Sequence, residues 1–163
     1  MRLPTLYSAG IIALFSSLVL SIVLLLQRYS FEPLWAGITG SMRQIFIGSI
    51  GFTLLCLLFF LWYLLQSNRL SYEESQRLTL GTSLLLLAET MWMPLTLYYV
   101  HDPSMFLAMI IHGILLAASL SAFYLTTVVN DKYVQMALAY IVMHTFFFDA
   151  VYWAYCMFLA KKR

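Results

Sequence analysis

Charged residues are absent or rare in five long apolar stretches, and polar breaks separate them. The stretches run over about 8–26, 45–65, 78–99, 105–129 and 133–160. Each is close to the ~20 residues that an α-helix needs to cross the hydrocarbon of a bilayer. A transmembrane barrel would show alternating segments of about ten residues instead, and none is present. Backbone amides in lipid must be satisfied internally, so helices are the reading of these runs. The pattern predicts an all-α integral membrane protein, a bundle of five transmembrane helices forming a single domain over residues 1–163. The first run follows Arg2 and is read as helix one rather than as a cleaved signal. The fifth run is long enough to tilt or protrude. The breaks at 101–104 and 130–132 are short, which makes helix three antiparallel to four and four antiparallel to five.

Composition removes the soluble alternatives. Of the 163 residues, 63% are hydrophobic and 10% charged, against about 25% charged in a typical soluble domain. A net charge of +2 gives no footing for nucleic acid. The terminal Lys161-Lys162-Arg163 suits an anchor at the membrane surface. With five spans, Arg2, Arg69, Arg77 and Lys132 share one side, and Arg28, Arg43 and the three terminal cations share the other. The positive-inside rule then leans to a C-terminus on the cytoplasmic side. The protein is expected to be multi-pass, with the organelle left open and a mitochondrial or other organellar membrane among the options. Cys56 and Cys156 both lie in apolar runs and read as buried free thiols.

Four polar residues inside the runs change the picture: Glu89, His112, His144 and Asp149. A charge at the centre of a bilayer costs at least about 2.5 kcal/mol, so such groups face the bundle interior and pair with something. They read either as the polar wall of a ligand cavity, or an acid/base set, or as interhelical clamps. Thr145, Asp149 and Trp153 recur at four-residue spacing and share a helical face, and Tyr140, His144 and Phe148 form a neighbouring stripe. Gly113, Ala117 and Ser121 form a small-residue seam on helix four, read as packing within the chain ahead of a homodimer face. Pro94 is expected to kink helix three near Trp92 and Glu89 and to open space between helices. The aromatic content of 17% suits a flat apolar ligand, with Trp62 and Trp153 assigned in part to an interfacial belt. No metalloprotease, CxxC, phosphate-loop or serine-elbow motif is present. No metal site and no catalytic residue is assigned. No lysine lies within a span, which excludes a retinal Schiff base.

At helix three the run LAETMWMPLTLYY resembles the translocator protein family, the tryptophan-rich sensory proteins. Glu89 stands where the family carries an Asn, with Trp92 and Pro94 in register. The segment LQRYSFEPLW is similar to the family's first loop. Arg28 and Pro33 match it, Phe31 replaces a Trp, and Tyr29 and Leu34 replace prolines. Phe106 stands at a Trp position opening helix four, Ala117-Ala118-Ser119 is similar to the family's small-residue stretch, and Tyr140 replaces the Trp of a Leu-Ala-Trp motif. Asp149 lies one residue from the family's Leu-Asn pair. The resemblance implies a pocket for porphyrins, sterols or synthetic aromatic ligands, lined by Phe31, Trp92, Phe106, Tyr140 and His144. A porphyrin enters as a ligand, and no cofactor is assigned. Val151, Tyr155 and Lys161 also fit a sterol-type pattern at the end of helix five.

Three functions follow as expectations. The first is membrane-embedded binding, sensing or transport-associated handling of a flat hydrophobic ligand, with Glu89, His112, His144 or Asp149 as the polar end. The second is an accessory subunit of a larger membrane complex. The third is an enzyme on a lipid-soluble substrate, such as a sterol isomerase, with Glu89, His112 and Asp149 moving a proton. Beyond these, the expected partners are the lipid bilayer itself and a homodimer.

Overall fold

The computed structural model describes residues 10–13, 15–20, 35, 38–66 and 71–157, and the backbone alone of 158–160. Phe31, the first-loop motif around it (apart from Trp35) and Lys161 lie outside the described residues. All regular structure among them is helical. A shorter apolar helix, α1, occupies Gly10–Leu20. It is followed by α2 (Gly40–Gln66), α3 (Tyr72–His101), α4 (Met105–Val128) and α5 (Lys132–Met143). The last runs straight into a π-helical segment, His144–Trp153, and then α6 (Ala154–Ala160). Among the described residues, four helices are long and apolar enough to cross a membrane: α2, α3, α4 and the continuous Lys132–Met157. Their outward faces are apolar, with Leu55, Leu80, Leu120 and Met136 exposed. Such a surface belongs in lipid, and the chain is a multi-pass integral membrane protein.

Polar caps set where the helices start. The Ser71 hydroxyl accepts from Glu74 N at 3.2 Å, and the Glu74 carboxylate accepts from Ser71 N at 2.8 Å. This reciprocal capping box satisfies two orphan amides and starts α3 at Tyr72, six residues before the apolar run at 78. The apolar pattern marks only the lipid-crossing part; the cap marks the helix. Ser104 accepts from Leu107 N at 3.1 Å to start α4. Asp131 accepts from Tyr133 N and Val134 N to start α5. In the short α4–α5 link, the Gln135 amide donates to Val129 O at 2.6 Å and occupies a carbonyl left free at the end of α4. Gly40, at φ 61°, turns the chain into α2 in a left-handed conformation that only glycine adopts without penalty.

α3 packs most extensively on α4, α4 on α5 and the π segment, and α2 on α5. Between α2 and α3 no comparable direct packing exists among the described residues. The core divides into two apolar clusters stacked along the bundle. One gathers Leu57, Phe60, Leu85, Ala122, Leu125 and Leu138. The other gathers Phe46, Tyr99, Ile111, Leu115, Trp153 and Met157. Near where the two clusters meet, the helices carry polar side chains: Ser49 and Thr53 on α2, Glu89 on α3, Ser119 on α4, and His144, Thr145 and Asp149 in the π segment.

The small-residue seam expected on α4 divides. Gly113 and Ala117 face outward, while Ser121 is buried. A Cβ built on Gly113 meets nothing within 4 Å, so neither this glycine nor its exposed neighbour Ala117 serves packing within the chain. The close approach instead uses Ala118 and Ala122 of α4 and Gly81 of α3. A Cβ at Gly81 would lie 2.8 Å from Leu125 Cδ2 and 2.9 Å from Leu125 Cγ. Pro94 sits within the continuous α3 and denies Thr90 O its usual amide partner.

Candidate functional site

Because α2 and α3 stand apart, a partly open cavity of about 280 Å³ lies between them, bordered also by the π segment and by Leu18 of α1. Its wall is mainly apolar: Leu54 and Leu57 from α2, Leu85 and Met93 from α3, Ile141 from α5. Four aromatic residues, Trp35, Phe46, Trp92 and Trp153, add flat surface. The polar part of the wall is Thr53, Glu89, His144 and Asp149. Glu89 Oε2 accepts from Trp92 Nε1 at 3.2 Å. Three residues apart on one helix, these two side chains meet on the same face. The Trp92 indole meets the Trp153 indole edge to face, with centroids 6.0 Å apart.

A line of polar contacts runs from the cavity into the α2–α5 interface. Ser49 Oγ lies 2.9 Å from the Tyr140 hydroxyl and 2.7 Å from His144 Nδ1. His144 Nε2 lies 3.5 Å from Asp149 Oδ2, within ion-pair reach but too long for a strong hydrogen bond. Two proton arrangements fit this line. In one, Tyr140 donates to Ser49, Ser49 to His144, and the imidazole N–H faces an ionised Asp149. In the other, every bond reverses and Asp149 carries the proton. The two differ by one proton taken up at the cavity end.

The π winding makes this line geometrically available. In an α-helix, residues five apart lie about 140° around the axis, so His144 and Asp149 would point to different neighbours. With i→i+5 hydrogen bonding each residue advances less around the axis, and such residues come much closer in angle. His144–Trp153 therefore turns Asp149 beside His144 and brings Trp153 inward. The imidazole also stacks on Phe148, centroids 5.6 Å apart, and meets Phe46 edge to face.

Several expected site residues converge and others do not. Glu89, Trp92, His144 and Asp149 line the cavity. Tyr140 reaches the group only through Ser49. His112 is half-buried on α4, away from the cavity wall, and its Nδ1 has no hydrogen-bond partner. Phe106 is 73% exposed at the start of α4 and is not part of the wall. Val151 and Tyr155 of the sterol-type pattern are exposed on the outside of the bundle. The expected shared face of Thr145, Asp149 and Trp153 is also broken up. Thr145 turns to α4, where it accepts from Ser119 Oγ and donates to Ile141 O, both at 2.9 Å. Trp153, expected partly in an interfacial belt, is 5% exposed and forms cavity wall, because the π segment rotates it inward. Trp62 is exposed on the surface of α2.

Sequence reasoning missed Ser49, Trp35 and Phe46. Ser49 carried a faint signal, a hydroxyl in an otherwise apolar span between Gly48 and Gly51. Nothing local marks Phe46. Cys56 is buried and Cys156 half-buried, both free. No group of three or more His, Cys, Asp or Glu suited to a metal ion occurs among the described residues. No family model, curated protein or solved structure matches the chain.

Proposed function

We propose that this chain is a membrane-embedded binding or sensing protein for a flat hydrophobic ligand, held between α2 and α3. The observation that carries the reading is the cavity itself: an aromatic and aliphatic wall with four polar side chains in it, two of which, His144 and Asp149, stand 3.5 Å apart. Concave, mostly apolar sites with a small convergent polar set are the usual form of small-molecule pockets. The resemblance to the translocator protein family at Glu89, Trp92 and Pro94 supports the same reading, as does a five-helix plan completed by the first apolar run. The volume lies at the lower edge of the usual range of about 300–1,000 Å³. That favours a narrow sterol-type body over a porphyrin macrocycle.

Titration of the purified protein in nanodiscs tests the proposal, with a 3-hydroxy sterol and a porphyrin added separately while tryptophan fluorescence is followed. Saturable quenching by the sterol, weakened in Trp92→Phe and Trp153→Ala, is expected. Absence of saturable binding by either compound, or binding indifferent to both substitutions, overturns the reading.

A further inference from the structure

We propose that the occupant of this cavity is a cation: a hydrophobic amine whose protonated nitrogen sits against Glu89 and Asp149 while its flat body lies against the tryptophans. The inference rests on the binding function proposed above and specifies its ligand. Two carboxyl groups, Glu89 from α3 and Asp149 from the π segment, face one cavity. Among the described wall residues there is no Lys or Arg. His144 is the one basic group, so even a protonated imidazole leaves the wall short of one positive charge when both carboxyls are ionised. Two like charges in a weakly polar site are not tolerated together; a proton or a cation has to stand between them.

The rest of the wall fits a cation rather than a neutral or anionic head. Trp92, Trp153 and Phe46 present aromatic surface, and aromatic faces attract ammonium groups, most strongly when these are stripped of water; the Trp35 ring already carries the Arg43 guanidinium, 4.7 Å from its centroid. Glu89 is already held in place by the Trp92 N–H, which leaves its remaining lone pairs for a donor on the ligand. A porphyrin would bring propionate groups against two carboxyls, an arrangement that costs free energy.

The test compares a 3-amino sterol with the matching 3-hydroxy sterol. Both are titrated against the full-length protein in phosphatidylcholine nanodiscs, with protein-free nanodiscs subtracting partition into lipid. The amine is expected to bind at least about tenfold tighter, as a charge-assisted hydrogen bond in a dry site predicts. Glu89→Gln and Asp149→Asn are each expected to remove most of the amine's preference over the hydroxy sterol, with far-ultraviolet circular dichroism reporting that the variants are folded. Equal binding of the two sterols by the unaltered protein overturns the cation inference and leaves the cavity reading standing. A preference that survives both substitutions overturns it as well. Binding of neither sterol overturns the inference together with the function on which it rests.

Discussion

Gly81 of α3 touches Leu125 of α4 with no room to spare, and replacing it with alanine is the most direct probe of the helix pair that braces the cavity. A Cβ there would stand 2.8 Å from Leu125 Cδ2, 2.9 Å from Leu125 Cγ and 3.1 Å from Tyr124 Cδ1. Leu125 is fully buried. Overpacking of this kind costs about 1–3 kcal/mol. Against it stands the helix-propensity gain of Gly→Ala, up to about 1 kcal/mol. Gly113→Ala on α4 isolates that gain, since nothing lies within 4 Å of a Cβ there. The expected result is that Gly81→Ala is less stable than Gly113→Ala by about 1–3 kcal/mol. Reversible unfolding in mixed micelles, followed by far-ultraviolet circular dichroism, measures the gap. The double variant Gly81→Ala/Leu125→Ala supplies a second reading. Because the smaller side chain relieves the clash, the two changes are expected to couple favourably by about 0.5–3 kcal/mol. Equal stability of the two alanine variants, or strict additivity in the double variant, would refute the close α3–α4 approach.

Two further outcomes are expected. Ser49→Ala leaves His144 Nδ1 and the Tyr140 hydroxyl without their shared partner, so unfolding measurements are expected to show a loss of about 1–3 kcal/mol, and an unchanged midpoint would dismiss the polar line as decoration. Deletion of Phe147, an exposed residue of the π segment, is expected to restore α winding and rotate Trp153 by about 100°. Helix content would then stay constant while the near-ultraviolet signal of the Trp92–Trp153 pair and sterol binding disappear; retention of both would show that the π winding does not shape the wall.

The apolar runs were readable because membrane crossing is a local property. Twenty uncharged residues suffice, and α2, α4 and the α5–π–α6 rod fall close to their expected ranges. The start of α3 was not, since Ser71 and Glu74 lie in a polar break where a search for apolar length does not look. Glu89, Trp92, His144 and Asp149 were legible as unusual on cost alone, and all four line the cavity. How they meet was not. The i, i+4 rule placed His144 and Asp149 on separate faces, and only a change of helical winding, which depends on tertiary packing, joins them. Ser49 escaped notice because a serine in a membrane span usually bonds to its own helix backbone, as Thr53 does to Ser49 O; its bonds to His144 and Tyr140 are long-range and invisible in the sequence.

The polar side chains near where the two apolar clusters meet have a mechanical consequence. Sliding α2 along α5 by one helical turn, about 5.4 Å, would carry Ser49 away from both His144 and Tyr140 and leave three polar groups facing hydrocarbon. The Ser119–Thr145 bond pins α4 against the π segment in the same way. Piston movements of these helices are therefore blocked, much as a key blocks a shaft. On α3 the Glu89 carboxylate bonds within its own helix, to the Trp92 indole. On the binding function proposed above, entry of an occupant would call for a sideways displacement of α3 at constant depth in the membrane, not for a piston stroke.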